Sequence, residues 1–175
     1  MIDHESQFHF FPYCKKVAAN VSDSNFAFTV LDQSISGPVL KGYTVLASDK
    51  KPLPTTQVWS KSFAPGDYVS SSPATYGAIA SFGRVTGDKS TLYKYLNPHL
   101  HVVASITPAL SQGRIMVVDS ISGRTVYDAV VPDLVIRKGL IADMVENWLV
   151  YRWLDKSGWK LASVDLYEDR SQGVT

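Results

Sequence analysis

The chain has 175 residues, with 17 basic and 16 acidic side chains and a formal charge of +1. That balance gives no basic footprint for nucleic acid and no polybasic patch for anionic lipid. With 45% hydrophobic and 11% aromatic residues, it is not a disordered segment, and its length suits one domain burying roughly two thirds of its unfolded surface. The lone cysteine, Cys14, excludes an intrachain disulfide and a cysteine metal cluster. No apolar run reaches the ~18 residues of a membrane span. The N-terminus MIDHESQFHFF lacks the basic and apolar regions of a signal peptide.

In chain order, Pro12 to Ala19 offers one or two helical turns. Asn20-Val21-Ser22 is the only N-glycosylation sequon, which makes Asn20 a candidate acceptor if the chain faces a secretory lumen. Short apolar runs with a period of two then dominate. Strands are expected at Phe26–Leu31, Gly42–Leu46, His101–Ile106, Arg114–Asp119, Thr125–Val131, Trp148–Trp153 and Leu161–Tyr167. Ser48 to Thr56 and the serine- and proline-rich Ser62 to Ser81 are expected to be loops. Ser120 to Gly123 and Lys156 to Gly158 are expected to be hairpin turns, each with a glycine available for positive φ.

The fold class is all-β with little helix. Nothing in the composition separates two folding units, so residues 1–175 are read as a single domain. The phrase Val118-Asp119 recurs as Val164-Asp165, with Gly42 to Val45 as an earlier copy. Spacings of ~40 to 50 residues with several strands each are what propeller blades show. A sandwich or meander also places strands at short intervals, and the pattern alone leaves both open.

Catalytic signatures are weak. Gly83 to Ser90 imitates a phosphate-binding loop, but three residues rather than four separate its glycines and Asp88 stands where phosphate would sit, so an ordinary turn is expected. His99 and His101 alternate in the expected strand but lack a third metal ligand at useful spacing. Cys14 has no neighbouring base in sequence. Asp119, Asp128, Asp165 and Glu168 stand at strand ends, where carboxylates usually bind turn amides. Glu146-Asn147-Trp148 is the most suggestive polar cluster. Asn147 favours a left-handed or turn conformation, and the strand from Trp148 alternates Val150 and Arg152 against Leu149, Tyr151 and Trp153. The two aromatic residues on one face are expected in the core, and if the Trp148 ring is core its truncation to Ala costs ~3 to 5 kcal/mol. An outward-facing set of Trp148, Tyr151 and Trp153 would instead make a stacking surface for carbohydrate or peptide.

Three ordered phrases point to one family. They are GRVTGDKSTLYKYLNP (Gly83–Pro98), VDSISGRTVYD (Val118–Asp128) and ENWLVYRW (Glu146–Trp153), with VDLYE (Val164–Glu168) at the end. In order and approximate spacing they resemble the family of subunit 1 of the endoplasmic reticulum (ER) membrane protein complex. LKGYTVLAS and TQVWSKSF upstream resemble it more loosely. The matching positions are Gly87, Asp88, Tyr93, Tyr95, Asn97, Pro98, Asp119, Gly123, Arg124, Glu146, Asn147, Trp148, Tyr151, Tyr167 and Glu168. Asp143-Met144-Val145 departs from the His and Ser common before the third phrase, and Trp159 stands where charges are usual.

The resemblance implies a lumenal β-propeller fragment of a longer, membrane-anchored chain, with successive antiparallel blades. It implies a non-enzymatic scaffold in a complex that inserts tail-anchored and multi-pass membrane proteins, with no cofactor and with structural roles for the matching residues. Its partners would be the other subunits and client membrane proteins, and it would meet the membrane only through parts of the parent chain outside these residues. A quinone-type propeller oxidoreductase, the competing enzyme class, needs acidic metal ligands and a docking tryptophan in each blade, which the sequence lacks. Blades need neighbours to bury their flanks, so the isolated chain is expected to be marginal or to self-associate.

Overall fold

The computed structural model describes residues 7–8, 26–46, 53–79 and 81–168. The helical turns expected from Pro12, the sequon at Asn20 and Cys14 lie outside them. Among the described residues thirteen strands run β1 (Gln7–Phe8), β2 (Ala27–Ser34), β3 (Gly37–Val45), β4 (Leu53–Ser62), β5 (Tyr68–Pro73), β6 (Gly83–Val85), β7 (Thr91–Tyr93), β8 (Leu100–Thr107), β9 (Gln112–Asp119), β10 (Thr125–Val131), β11 (Leu140–Val145), β12 (Trp148–Asp155) and β13 (Gly158–Asp165). Two single-turn 3₁₀ segments, Pro108–Leu110 and Ile136–Lys138, are the helical content among the described residues. The expected all-β class is what the structure shows.

The contacts divide the chain into two compact units, where composition showed no boundary. One comprises Met1–Gly66 with Ser120–Arg124, and the other Asp67–Asp119 with Thr125–Thr175. The first contains the four-stranded sheet β1-β4-β3-β2. Gly42 on β3 lies opposite Trp59 on β4, and a bulge follows at Gly42/Tyr43. The indole occupies the space a side chain at Gly42 would need: an added Cβ would sit 2.1 Å from its Nε1. Trp59 Nε1 donates to the Ser120 carbonyl at 2.9 Å. Gly123, at φ 73°, closes the same pocket, where a Cβ would meet Trp59 Cγ at 2.6 Å. Phe28 and Tyr43 stack across β2 and β3 with centroids 5.5 Å apart.

The second unit holds the sheet β10-β9-β8-β5, the three-stranded sheet β11-β12-β13 and the hairpin β6-β7. Alternation places Leu100, Val102 and Ala104 of β8 with Ile115 and Val117 of β9 on one face. Met144 of β11 and Leu149 of β12 meet them in a single buried cluster. Tyr127 on β10 and Tyr151 on β12 join hydroxyls across it at 3.1 Å. Burial first, and that hydrogen bond second, push the Tyr127 phenol up to about 12.

Several expectations need correction. Ser62–Ser81 contains β5, and Ser48–Thr56 runs into β4 at Leu53. In β5 the serines pair with a hydrophobic strand, Ser71 opposite Val103 and Ser72 opposite Val102, so sheet pairing overrides composition. Val118-Asp119 and Val164-Asp165 end β9 and β13, and Gly42 to Val45 ends β3.

Gly42→Ala should push the Trp59 ring off its seat and break its bond to Ser120, costing about 1–3 kcal/mol. The expected readout is a lower denaturant midpoint with red-shifted tryptophan emission. An unchanged midpoint would show that the indole is not confined there.

Candidate functional site

Tyr95, Asn97, Asp119, Glu146, Asn147, Tyr167 and Glu168, among the residues matching the phrases, meet around one junction in the second unit. Val145 and Trp148 pair across a two-residue turn. Asn147 lies in the turn, as expected, and the positive φ is carried by its neighbour Glu146, at 55°. That geometry turns the Asn147 side chain inward, where it is only 3% exposed. Its Nδ2 donates to the Leu166 carbonyl at 2.8 Å, while the Leu166 amide donates to the Asn147 carbonyl at 2.9 Å and the Tyr95 amide to the Leu166 carbonyl at 3.0 Å. One buried asparagine thus latches the stretch after β13 to the hairpin and to the segment after β7.

Neighbouring contacts extend the latch. Lys94 Nζ meets Glu146 Oε2 at 2.8 Å with both side chains largely covered. Lys94 also forms an antiparallel bridge with Tyr167, and the Glu168 amide donates to the Tyr93 carbonyl at 2.9 Å. The Glu146 amide donates to Thr75, and the Thr75 amide to Met144. On the other side, Asn97 Nδ2 donates to Asp119 Oδ2 at 2.7 Å. The Asn97 carbonyl accepts from the Tyr76 hydroxyl. Burial, reinforced by Tyr95 and Glu146, raises the Tyr76 phenol above its ordinary value.

The remaining matched residues shape turns. Asp88 accepts from Thr86 and from the Ser90 amide in the β6-β7 turn, with Lys89 at φ 64°. Those hydroxyl and amide donors lower the exposed Asp88 carboxyl from 3.8 to about 2. The carboxylate therefore faces protein donors, as a turn requires and a phosphate cradle does not. Gly87 and Pro98 are exposed turn residues. Gly123 and Arg124 belong to the turn around Trp59, and the Arg124 amide donates to Ser122 Oγ at 3.3 Å.

Three expectations fail here. Trp148 is not core: strand alternation turns it outward with Val150 and Arg152, half of its surface is exposed, and its Nε1 donates to Ser163 Oγ at 2.5 Å. A core-scale cost for Trp148→Ala therefore does not apply. Tyr151 is buried, and it stacks on Trp153 with centroids 5.7 Å apart on the opposite face. Trp148, Tyr151 and Trp153 consequently do not make one stacking surface. His99 precedes β8, in a turn where its amide donates to Asn97 Oδ1 at 2.9 Å. His101 lies within the strand, and burial lowers its pKa. Among the described residues no group of three His, Cys, Asp or Glu side chains could hold a metal.

Sequence reasoning missed Thr75, Tyr76, Lys94 and Leu166 as members of the junction. Lys94 stood inside the matched phrase, but its pairing with Glu146 spans 52 residues and leaves no local trace.

The family model for ER membrane protein complex subunit 1, second beta-propeller, matches residues 1–174. The chain belongs to that family. The subunit 1 of Schizosaccharomyces pombe is 32% identical over 115 residues, 63% of this chain and 13% of that protein. The subunit 1 of Xenopus laevis is 32% identical over 105 residues, 54% of this chain and 10% of its own length. The chain thus spans about a tenth of these relatives. Among solved structures, an uncharacterized protein of Listeria monocytogenes gives a TM-score of 0.42 at 7% identity, over 83% of this chain and 36% of its own. That likeness is too slight to argue from. The antiparallel sheets agree with the β-propeller for which the family domain is named.

Asn147→Ala should cost about 1–3 kcal/mol, because the Leu166 carbonyl loses a buried donor. Asn147→Asp should do no better, since it sets a carboxylate against that carbonyl. Equal denaturant midpoints for both variants and the parent would refute the latch. Acid should loosen the β6-β7 turn. Its depressed folded pKa means that Asp88 supports the turn above the ordinary value of 3.8, and that this support fades as pH falls toward about 2. Amide exchange at Ser90 should accelerate over that window relative to neighbouring strands, and Asp88→Asn should remove the pH dependence.

Proposed function

We infer that this chain is a non-enzymatic part of the lumenal scaffold of the ER membrane protein complex, supporting insertion of tail-anchored and multi-pass membrane proteins. The observation that carries this reading is the family match across residues 1–174. The geometry of the junction supports it. The matched polar groups at the junction bind one another and a backbone carbonyl, an arrangement that holds loops in place rather than activating a nucleophile. Rigid sheets carrying fixed loops suit a surface on which other subunits assemble. In this reading the 175 residues are one segment of a lumenal propeller. Its partners are the other subunits and the clients they handle, and the membrane is met by chain outside this segment.

The parent protein, tagged at its native locus and purified in mild detergent, should bring down a stable multi-subunit membrane complex. Asn147→Ala in that parent should lower its abundance and, in proportion, the recovered complex and the insertion of a tail-anchored reporter. Recovery of the parent alone, soluble and unaccompanied, would sink the scaffold reading.

A further inference from the structure

The second unit carries an unbalanced charge at one end. The turn Lys156-Ser157 closes β12 onto β13. Close by, the Val135 amide donates to the Leu154 carbonyl at 2.8 Å, which sets the 3₁₀ segment Ile136–Lys138 beside that turn. Arg137, Arg152, Lys156 and Lys160 are all exposed there. Among the described residues Arg137, Arg152 and Lys156 meet no carboxylate, whereas Lys94 and Arg114 are paired with Glu146 and Asp128. Asp155 does not neutralise the cluster. Its Oδ1 accepts the Ser157 amide and hydroxyl, each at 2.7 Å, and its Oδ2 stands 3.9 Å from Lys160. Trp159, next to Lys160, is 58% exposed. The Arg152 guanidinium lies 5.4 Å from its ring, which holds a charge over an aromatic face. The Trp159 indole N–H has no acceptor among the described residues. Single unpaired cations are ordinary on a surface. Three of them around one open indole, in a chain of formal charge +1, form a concentrated positive end.

We propose that the end of the sheet around the β12-β13 turn is a docking site for an acidic, extended segment of a partner protein. Carboxylates of the segment meet Arg137, Arg152 and Lys156, an apolar side chain lies against the open part of the Trp159 ring, and a backbone carbonyl accepts the indole N–H. Arg152 serves two purposes, because a guanidinium can stack on a ring and still present its fork of donors to a carboxylate. Complementary charge of this kind sets partner choice and encounter rate. The proposal stands on charge and geometry and not on the scaffold role. A polypeptide fits better than a bilayer. Asp133, in the same loop as Arg137, and Asp155, beside the turn, would be repelled by a layer of anionic headgroups. An extended chain can instead place its acids between them. A nucleic acid needs a long basic stripe, which a chain of formal charge +1 does not offer.

The test mixes the purified full-length parent chain, free of other subunits, with a short fluorescent peptide of glutamates around one tyrosine. A carbodiimide, which joins lysine to carboxylate without a spacer, should couple the peptide at Lys156 or Lys160, as mapped by mass spectrometry. Fluorescence anisotropy should show affinity falling at least ~10-fold in the double variant Arg152→Glu with Lys156→Glu. Lys156→Glu alone, in an exposed turn, should weaken binding by a smaller factor and stands in if the double variant fails to fold. Arg84→Glu with Lys89→Glu, which reverses exposed cations of the β6-β7 hairpin, should leave affinity unchanged. Absence of coupling would overturn the proposal. So would coupling spread evenly over the lysines of the chain, or equal loss from the two double variants, because either outcome shows general charge attraction. Binding of phosphatidylserine vesicles through Arg152 and Lys156, with the peptide unbound, would assign the site to lipid and overturn the proposal as well.

Discussion

A strand that alternates apolar residues on both of its faces can be stable only if both faces are covered, and the larger unit is organised around that requirement. Val117 and Val118 are adjacent in β9, point to opposite faces, and are both fully buried. Neighbours at i and i+1 therefore need different packing partners. Such a strand cannot sit in a two-layer sandwich with one wet face, as many antiparallel sheets do. A propeller blade, with a sheet on either side, meets the same requirement. The β8-β9 pairing, the cluster around Leu149 and Met144, and the direction in which Trp148 points all follow from this layering.

Stacked sheets leave a second problem, because the loops between them carry backbone groups that no ladder satisfies. The junction around Asn147 answers it with side chains. A single amide side chain serves the Leu166 carbonyl while its own backbone carbonyl accepts from the Leu166 amide. Lys94 and Glu146 neutralise each other beside it, and Asn97 ties the segment before β8 to Asp119 at the end of β9. The sequence separations are long, so these bonds form only after the sheets have met. They add specificity to the arrangement of loops more than gross stability.

How much of this was legible depended on how local the signal was. β10, β12 and β9 were readable because valine- and aromatic-rich alternation and a glycine turn sit within a dozen residues of one another. β5 was hidden because its serines carry no strand preference, and its conformation comes from pairing with β8, some thirty residues further on. β4 was masked by Pro52 and by Pro54, which lies near the strand's start, where proline is tolerated. Alternation along β12 was legible too, setting Trp148 with Val150 and Arg152 against Leu149, Tyr151 and Trp153, which is how the structure divides the two faces. At the junction, the phrases marked Asn147, Glu146 and Asn97 but could not show what each one binds. Thr75 and Leu166 act there through backbone atoms alone, which no residue type announces.

The turn Ser120–Arg124 groups with the first unit although the strands on either side of it group with the second. Covalently, then, the boundary between the units is crossed three times, and no single cut of the chain separates them. A clone ending at Gly66 would keep Trp59 but discard the Ser120 carbonyl that accepts its indole proton and the Gly123 backbone that lies against its ring. A clone beginning at Asp67 would carry the turn without the tryptophan that seats it. Either half would therefore be an artefact of domain parsing, and expression designs for this region should keep residues on both sides of that boundary in one polypeptide.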